Sequence, residues 1–194
     1  MKTSGSSGTN RKQASHDRIV EVTSRAIRRG GYDGTGIADL MKSAGLTHGG
    51  FYAHFASREA LLAEAADHAG AEAVSLAAGI ANAAPPGQEL HALVSAYLSE
   101  AHRIGVEVGC PVAALGSEMP RQAPEVRRAA TRRIKEMIDV VARQSQGWGT
   151  PAAHEEALAT LSTMVGALIL SRAVDDASLS DGLLKAAVKH LAPE

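Results

Sequence analysis

The sequence predicts an all-α fold. Alanine and leucine dominate its apolar residues, β-branched runs are few, and no segment alternates apolar and polar side chains as a strand would. Apolar residues instead recur at three- and four-residue steps in one segment after another. The 194 residues suit one large domain or two small ones, and 45% apolar content is enough for a core, which excludes a disordered chain. The single cysteine, Cys110, excludes an internal disulfide and fits a reducing, cytoplasmic location. The polar start MKTSGSSGTNRKQASHDR carries no signal-peptide pattern. The longest apolar run, ALATLSTMVGALIL from Ala157, is too short to span a bilayer and reads as a buried helix, so no membrane is expected.

Residues 1–14 lack periodicity and read as a flexible arm. Ser15 can cap a first helix, with Asp17 and Glu21 in its early turns and Ile19, Val22 and Ala26 on its apolar face, until RRGG stops it. Thr35 can cap a short second helix holding Ile37, Leu40 and Met41, which Gly45 ends. Thr47 can cap a third to about Ala53, and Ser57 a long fourth towards Asn82, before PPG. Further helices are expected over 88–104, 112–117, 124–145, 150–172 and 180–190; Thr150 followed by Pro151 is a strong start signal.

Helix, AGLT, helix is the spacing of a helix-turn-helix. Ile37, Leu40, Ala44, Phe51 and Phe55 would make one compact core with Ile19, Ala26 and Leu61. So small a unit needs bulky side chains, each contributing about 1.5–3 kcal/mol on burial, which explains two of the few aromatics. Gly49 and Gly50 are different. Each costs a helix about 1 kcal/mol against alanine, a sacrifice that makes sense where backbone must approach a partner closely. DNA is such a partner: His48 can reach a base edge or phosphate, Tyr52 and Arg58 a phosphate. The alternative is a mobile HGG turn beside a half-buried Tyr52. The charge distribution favours DNA. Residues 1–60 hold nine Lys/Arg against five Asp/Glu, and the remainder eleven against sixteen.

Arg18 to Ala65 resembles the N-terminal domain of the tetracycline-repressor (TetR) family of bacterial transcription regulators. The resemblance rests on Gly31–Tyr32, on Thr35 with Ile37–Ala38, on Ala44 to Thr47, on Gly50 to Phe55 and on Arg58 to Leu61. It implies an N-terminal helix-turn-helix DNA-binding domain (15–60) and a C-terminal helical ligand-binding and dimerisation domain (61–194). It further implies a cytoplasmic homodimeric repressor that binds a palindromic double-stranded DNA operator and releases it on binding a small-molecule effector. Thr35, Thr47, Tyr52 and Arg58 would then contact phosphates, and His48 with Gly49 would face bases; His54 is assigned to packing or a backbone contact. Two departures are Arg58, where lysine is commoner, and Ala26–Ile27, smaller than the usual Leu-Phe pair.

GCPVAALGSEMPR, from Gly109, resembles a segment of one subgroup of these regulators. Cys110 reads either as a wall or sensor of an effector cavity or as a small buried residue at a helix start. Leu115, Met137, Met164 and Leu168 are further cavity candidates, each also fit for plain core. Leu158, Leu161, Val165 and Leu168 on one helix, with Leu184 and Val188 on the next, are candidates for a four-helix dimer interface that the resemblance favours over a monomer core. The RRAATRRIK stretch reads as a solvated face.

An enzyme finds no support. GYDGTG lacks the order of a dinucleotide loop and a preceding strand, HEEAL lacks the second histidine of a zinc-protease helix, and ALGSE is no nucleophile elbow. No metal site and no cofactor are expected. A DNA-binding scaffold without a ligand is the third reading, and it would show a packed C-terminal core with no cavity.

Overall fold

A computed structural model describes residues 6–145 and 147–192. Nine α-helices make up the described residues: α1 Ser6–Gly30, α2 Ile37–Ser43, α3 Arg58–Ala83, α4 Glu89–Tyr97, α5 Glu100–Ile104, α6 Pro111–Leu115, α7 Pro124–Ala142, α8 Pro151–Ala173 and α9 Ala177–Leu191. Short 3₁₀ helices cover His48–Ala53, Val106–Val108 and Met119–Arg121.

Local chemistry explains most boundaries. Ser57 accepts the Ala60 N–H and starts α3. Thr150 accepts the Ala153 N–H ahead of Pro151 and starts α8, as the sequence predicts. Gly45 ends α2 in the left-handed conformation (φ 73°), where its N–H reaches Lys42 O and the next N–H reaches Met41 O.

Four expectations need correction. Helix α1 begins at Ser6, so Ser15 lies inside it and the arm reading fails over 6–14; residues 1–5 lie outside the described residues. The 88–104 helix is two: the Ser99 hydroxyl accepts the His102 N–H, and this cap starts α5 afresh. Helix α9 starts three residues before the predicted 180–190 range because the Asp176 carboxylate accepts the Leu179 N–H. Thr35 does not cap α2; Gly36 holds that position.

Three apolar clusters organise the molecule. Ile19, Val20, Leu40, Met41, Ala44, Phe51, Phe55 and Leu61 form the first, with Ala26, Ile37 and Leu46 packed on it. This is the expected three-helix core. A second holds Ile27, Tyr32, Leu62, Ala65, Leu115 and Val126, and joins α1 and α3 to α6 and α7. The third fills the space among α3, α4, α7, α8 and α9 around Val94, Val141, Met164 and Leu184. Helix α3 runs through all three, across the expected domain boundary at residue 60.

Helix α8 is, among the described residues, the one helix long and apolar enough by length and composition to cross a bilayer, although the apolar run within it is shorter. Its buried positions, among them Ala153, Ala157, Leu161, Met164 and Leu168, face the protein core. Gly70 lets α3 and α7 meet closely: a Cβ there would lie 2.5 Å from that of Arg133. The same contact carries a fork-to-fork ion pair, Arg133 Nε to Asp67 Oδ1 at 2.8 Å and Nη2 to Oδ2 at 2.6 Å.

Arg28 binds the end of α1 to the C-terminal helices. Its side chain is wholly buried; it donates to Ser24 O, to Gly109 O at 3.2 Å and to the Glu72 carboxylate at 2.8 Å. Removing Glu72 leaves a buried cation without its counter-ion. Glu72→Ala is expected to destabilise the fold by about 2 kcal/mol, below the ~3–5 kcal/mol of a fully buried pair because Glu72 itself is partly exposed. Glu21→Ala, which breaks the exposed pair with Arg25, should cost under about 1 kcal/mol. Urea midpoints of the two variants make the comparison, and equal losses would refute the anchoring role of Arg28.

Candidate nucleic-acid interface and effector cavity

The His48–Ala53 helix presents two different faces. Phe51 and Phe55 are buried and stacked with ring centres 5.7 Å apart. Tyr52 leans edge-on against Phe51 and stays 72% exposed. Thr47, His48 and Gly49 are exposed beside it. No atom lies within 4 Å of a Cβ built on Gly49, and only ordinary contacts, Met41 Cε at 3.7 Å and Thr47 Oγ1 at 3.8 Å, meet one on Gly50. Neither glycine needs a positive φ. The protein's own packing therefore does not require them. Lys42, at the end of α2, is a further exposed cation near this face. Nothing but a basic residue in a last helical turn marks it in the sequence.

Two expected phosphate contacts are engaged elsewhere. The Thr35 side chain is turned inward, and its hydroxyl donates to Tyr32 O at 3.1 Å. The Arg58 guanidinium also donates to Tyr32 O, and to Thr35 O at 3.4 Å. Both fasten the turn between α1 and α2 because its carbonyls have no helical partner. His54 faces α1, with its ring 6.2 Å from that of His16 and its Nδ1 buried without a partner among the described residues. Burial, then the charges of His16 and Lys12, hold its pKa below the ordinary histidine value.

The turn these residues fasten also touches the C-terminal domain. Gly31 has φ 79°, and a Cβ there would lie 2.6 Å from Glu118 Oε1. The Glu118 carboxylate accepts the Tyr32 N–H at 2.8 Å. Burial, then Glu118, raise the pKa of the Tyr32 hydroxyl, which stays neutral and points at Met119 Sδ, 3.6 Å away. Tyr32 and Met119 line a cavity of about 460 Å³ bounded by α3, α6, α7 and α8. A scaffold with a solid C-terminal core would lack such a cavity. Gly31–Tyr32 stands out in the sequence, but the pairing of Tyr32 with Glu118 does not, because it spans 86 residues.

Cys110 and Met137 line this cavity, and with Ala73 they separate it from a second, of about 250 Å³. Leu115, Met164 and Leu168 do not reach it; each is fully buried in packed core. The cavity takes Leu158, Leu161 and Val165 instead, residues expected at a dimer interface. Leu161, Leu168 and Leu184 are buried within the protomer. The apolar period of α8 does not distinguish core, cavity and outer surface, since a helix apolar nearly all round carries no directional signal. Its outer face shows Leu158 (42% exposed), Ile169 and Leu170 (53%), with Leu179 exposed on α9; Val165 and Val188 are half-buried.

Beside the second cavity, His102 is fixed in one neutral tautomer. Its Nδ1–H donates to Tyr97 O at 2.6 Å, and its Nε2 accepts the Cys110 N–H at 2.9 Å. Burial lowers its pKa, and the Arg172 charge adds to this, against the Tyr97 carbonyl bond that favours the cation. Among the described residues no group of three or more His, Cys, Asp or Glu could hold a metal ion.

An exposed helix-turn-helix face joined to a hollow helical domain defines a class, the one-component regulator that reads DNA at one end and a small molecule at the other. Residues 19–65 match the bacterial regulatory proteins of the tetR family, and residues 86–181 match the C-terminal domain of LmrA/YxaF-like transcriptional regulators. The uncharacterized HTH-type transcriptional regulator Rv0196 of Mycobacterium tuberculosis is 34% identical over 170 residues, 82% of this chain and 85% of its own. A TetR regulator from Chloroflexus aurantiacus has a similar structure, with TM-score 0.76 and 28% identity over 94% of each chain. Reduced NemR from Escherichia coli shares the fold at TM-score 0.79 and 17% identity, over 92% of this chain and 95% of that one. The chain belongs to the TetR family of transcription regulators, which are not enzymes. Membership implies DNA binding and a ligand-binding C-terminal domain.

Gly49→Ala separates folding from DNA binding. With open space at Cβ and an ordinary φ, it should raise stability by about 0.4–1 kcal/mol while lowering affinity for DNA at least several-fold. Thermal melts and gel shifts read the two effects, and unchanged DNA affinity would refute the close-approach argument. His102 sets a pH dependence. Its folded pKa lies below the ordinary value near 6.5, so its stabilising contribution is complete above about pH 6.5 and is lost as pH falls through the lower folded value. Stability should therefore fall between pH 7 and 5, and less steeply in His102→Gln, leaving the part due to His54. Parallel slopes in urea titrations would exclude His102.

Proposed function

We propose that the chain is a homodimeric repressor that binds a palindromic operator and is released from it by a small-molecule effector. The observation that carries this reading is the double role of Tyr32. Its ring lines the cavity, while its carbonyl holds Arg58 and Thr35 of the DNA-binding unit and its N–H holds Glu118. A ligand that displaces this ring displaces the turn on which the helix-turn-helix sits. A coupling of about 1–3 kcal/mol, ordinary for allosteric proteins, is enough to release an operator.

In the bound form Thr47 and Tyr52 meet phosphates, and His48 with the bare backbone of Gly49 faces base edges in the major groove. Thr35 and Arg58 act from behind by fixing the turn. The dimer forms on the outer face of α8 and α9 through Leu158, Ile169, Leu170 and Leu179, with Val165 and Val188 at the margin. This face explains why so apolar a helix leaves one side uncovered in the protomer. A target of genomic DNA places the protein in the cytoplasm.

Footprinting on the protein's own upstream region at two salt concentrations tests the reading. The expected result is protection of two half-sites related by a dyad and centred about 34–36 Å apart or a multiple of that, with affinity falling steeply with salt. Transcription from the same fragment should fall when protein is added. Tyr52→Phe should weaken binding about threefold to tenfold at every sequence alike. A footprint on a single half-site would refute the dimer, and stimulated transcription would refute repression.

A further inference from the structure

The main cavity opens on one side only of its helical frame. The lining residues from α3, α6 and α7 are buried or half-buried, as are Tyr32 and Met119. Two lining residues are exposed, Leu158 and Ser162, and both belong to α8. Val165, Gly166 and Ile169 continue the same side of that helix at three- and four-residue steps. Gly166 has no side chain to seal the gap, and nothing from a neighbouring element lies within 4 Å of a Cβ built there. The mouth of the cavity therefore lies on the outer face of α8. The second cavity opens elsewhere, where its exposed lining residues are Leu76, Ala101 and Val108.

The surroundings of the mouth say what can cover it. From Ala157 to Ser171 helix α8 carries no charged residue. Ile169 and Leu170 are exposed beyond the mouth, and Leu179 is exposed on α9, whose neighbouring Ser180 hydroxyl donates to Ser171 O at 2.6 Å. Mouth and apolar side chains thus form one uncharged face across two adjoining helices. The Ser162 hydroxyl is already engaged, donating to Leu158 O at 2.7 Å, so covering it strands no donor. A twofold axis sets such a face against itself, which opposes no like charges and strips no ion of its partner. Ser162 and Gly166 are small enough to let a second helix come close to the opening. A second copy of this chain therefore fits the face without a polar cost.

We propose, resting on the homodimer reading above, that the main cavity is completed by the second copy. The α8–α9 face of the partner lies across the opening at Leu158 and Ser162, so a molecule held in the cavity touches both subunits. An effector then acts on the angle between the subunits as well as on the turn at Tyr32. A change of that angle alters the separation of the two recognition helices and so their fit to paired half-sites.

Thiol labelling of the full-length protein tests this. Ile134→Cys puts a thiol inside the main cavity on α7, and Leu76→Cys puts one at the opening of the second. Each variant is treated with iodoacetamide over a range of protein concentrations. Peptide mass spectrometry reads the modified position and separates it from Cys110, and sedimentation gives the fraction of dimer. The thiol of Ile134→Cys should react at least about tenfold more slowly in the dimer than in the monomer, because the reagent must wait for the mouth to be uncovered. That of Leu76→Cys should react equally in both. Leu170→Glu combined with Leu179→Glu charges the outer face without touching the cavity wall. This pair of changes supplies the monomer if dilution does not, and should restore fast labelling of Ile134→Cys. Val74→Cys reports from α3 if Ile134→Cys folds poorly. A dimer in which the cavity thiol reacts as fast as in the monomer would overturn the proposal and leave the homodimer standing. A chain that stays monomeric at every concentration, or a dimer that survives the two glutamates, would overturn the homodimer face and the proposal with it.

Discussion

The peptide unit of Tyr32 is the constraint on which the rest depends. Its N–H is held by Glu118, 86 positions away in sequence, and its carbonyl by Arg58 and Thr35. Gly31 is what permits this. It takes a left-handed conformation, and any Cβ would collide with the Glu118 carboxylate. A turn that would otherwise leave polar backbone groups unsatisfied at the edge of a core is closed by side chains from both domains. The DNA-binding unit is thereby oriented by the C-terminal domain at a point where a cavity also begins. In the proposed function, orientation and ligand sensing share one residue, which removes the need for any longer relay.

The second theme is the containment of charge. Arg28 and Arg133 are both drawn into packed regions, and each is matched by a carboxylate: Glu72 for the first, Asp67 and Glu136 for the second. Burial raises the proton affinity of Asp67, but the hydrogen bonds from Arg133 and Arg132 outweigh it and keep the carboxylate below its usual range. Such pairs contribute little net stability, because desolvation offsets most of the attraction. What they do supply is register. Each ties two helices at one point.

Much of the DNA-binding unit was legible in the sequence. Ile19, Leu40, Ala44, Phe51, Phe55 and Leu61 form one core, and Gly45 forms the turn, because helical period and backbone sterics act within a few residues. Gly49 and Gly50 were legible for the opposite reason, as a local cost with no local benefit. The C-terminal domain was less readable. Its helices were located to within a few residues, except where Ser99 and Asp176 impose caps that the apolar pattern does not reveal. The assignment of faces on α8 failed at Leu161 and Leu168, since both sides of that helix are apolar.

The sequence by itself determined the helices, the turn chemistry, the helix-turn-helix core and the membership of a regulator family. These follow from interactions between residues close along the chain, whose period and spacing can be read in one dimension. Only the tertiary structure decided that Thr35 and Arg58 serve the interdomain turn and that Tyr32 belongs to the cavity. The physical reason is one of reach. A hydrogen-bonding side chain has several possible partners within a few ångströms once the chain is folded, and which of them it takes depends on residues as far as 26 or 86 positions away.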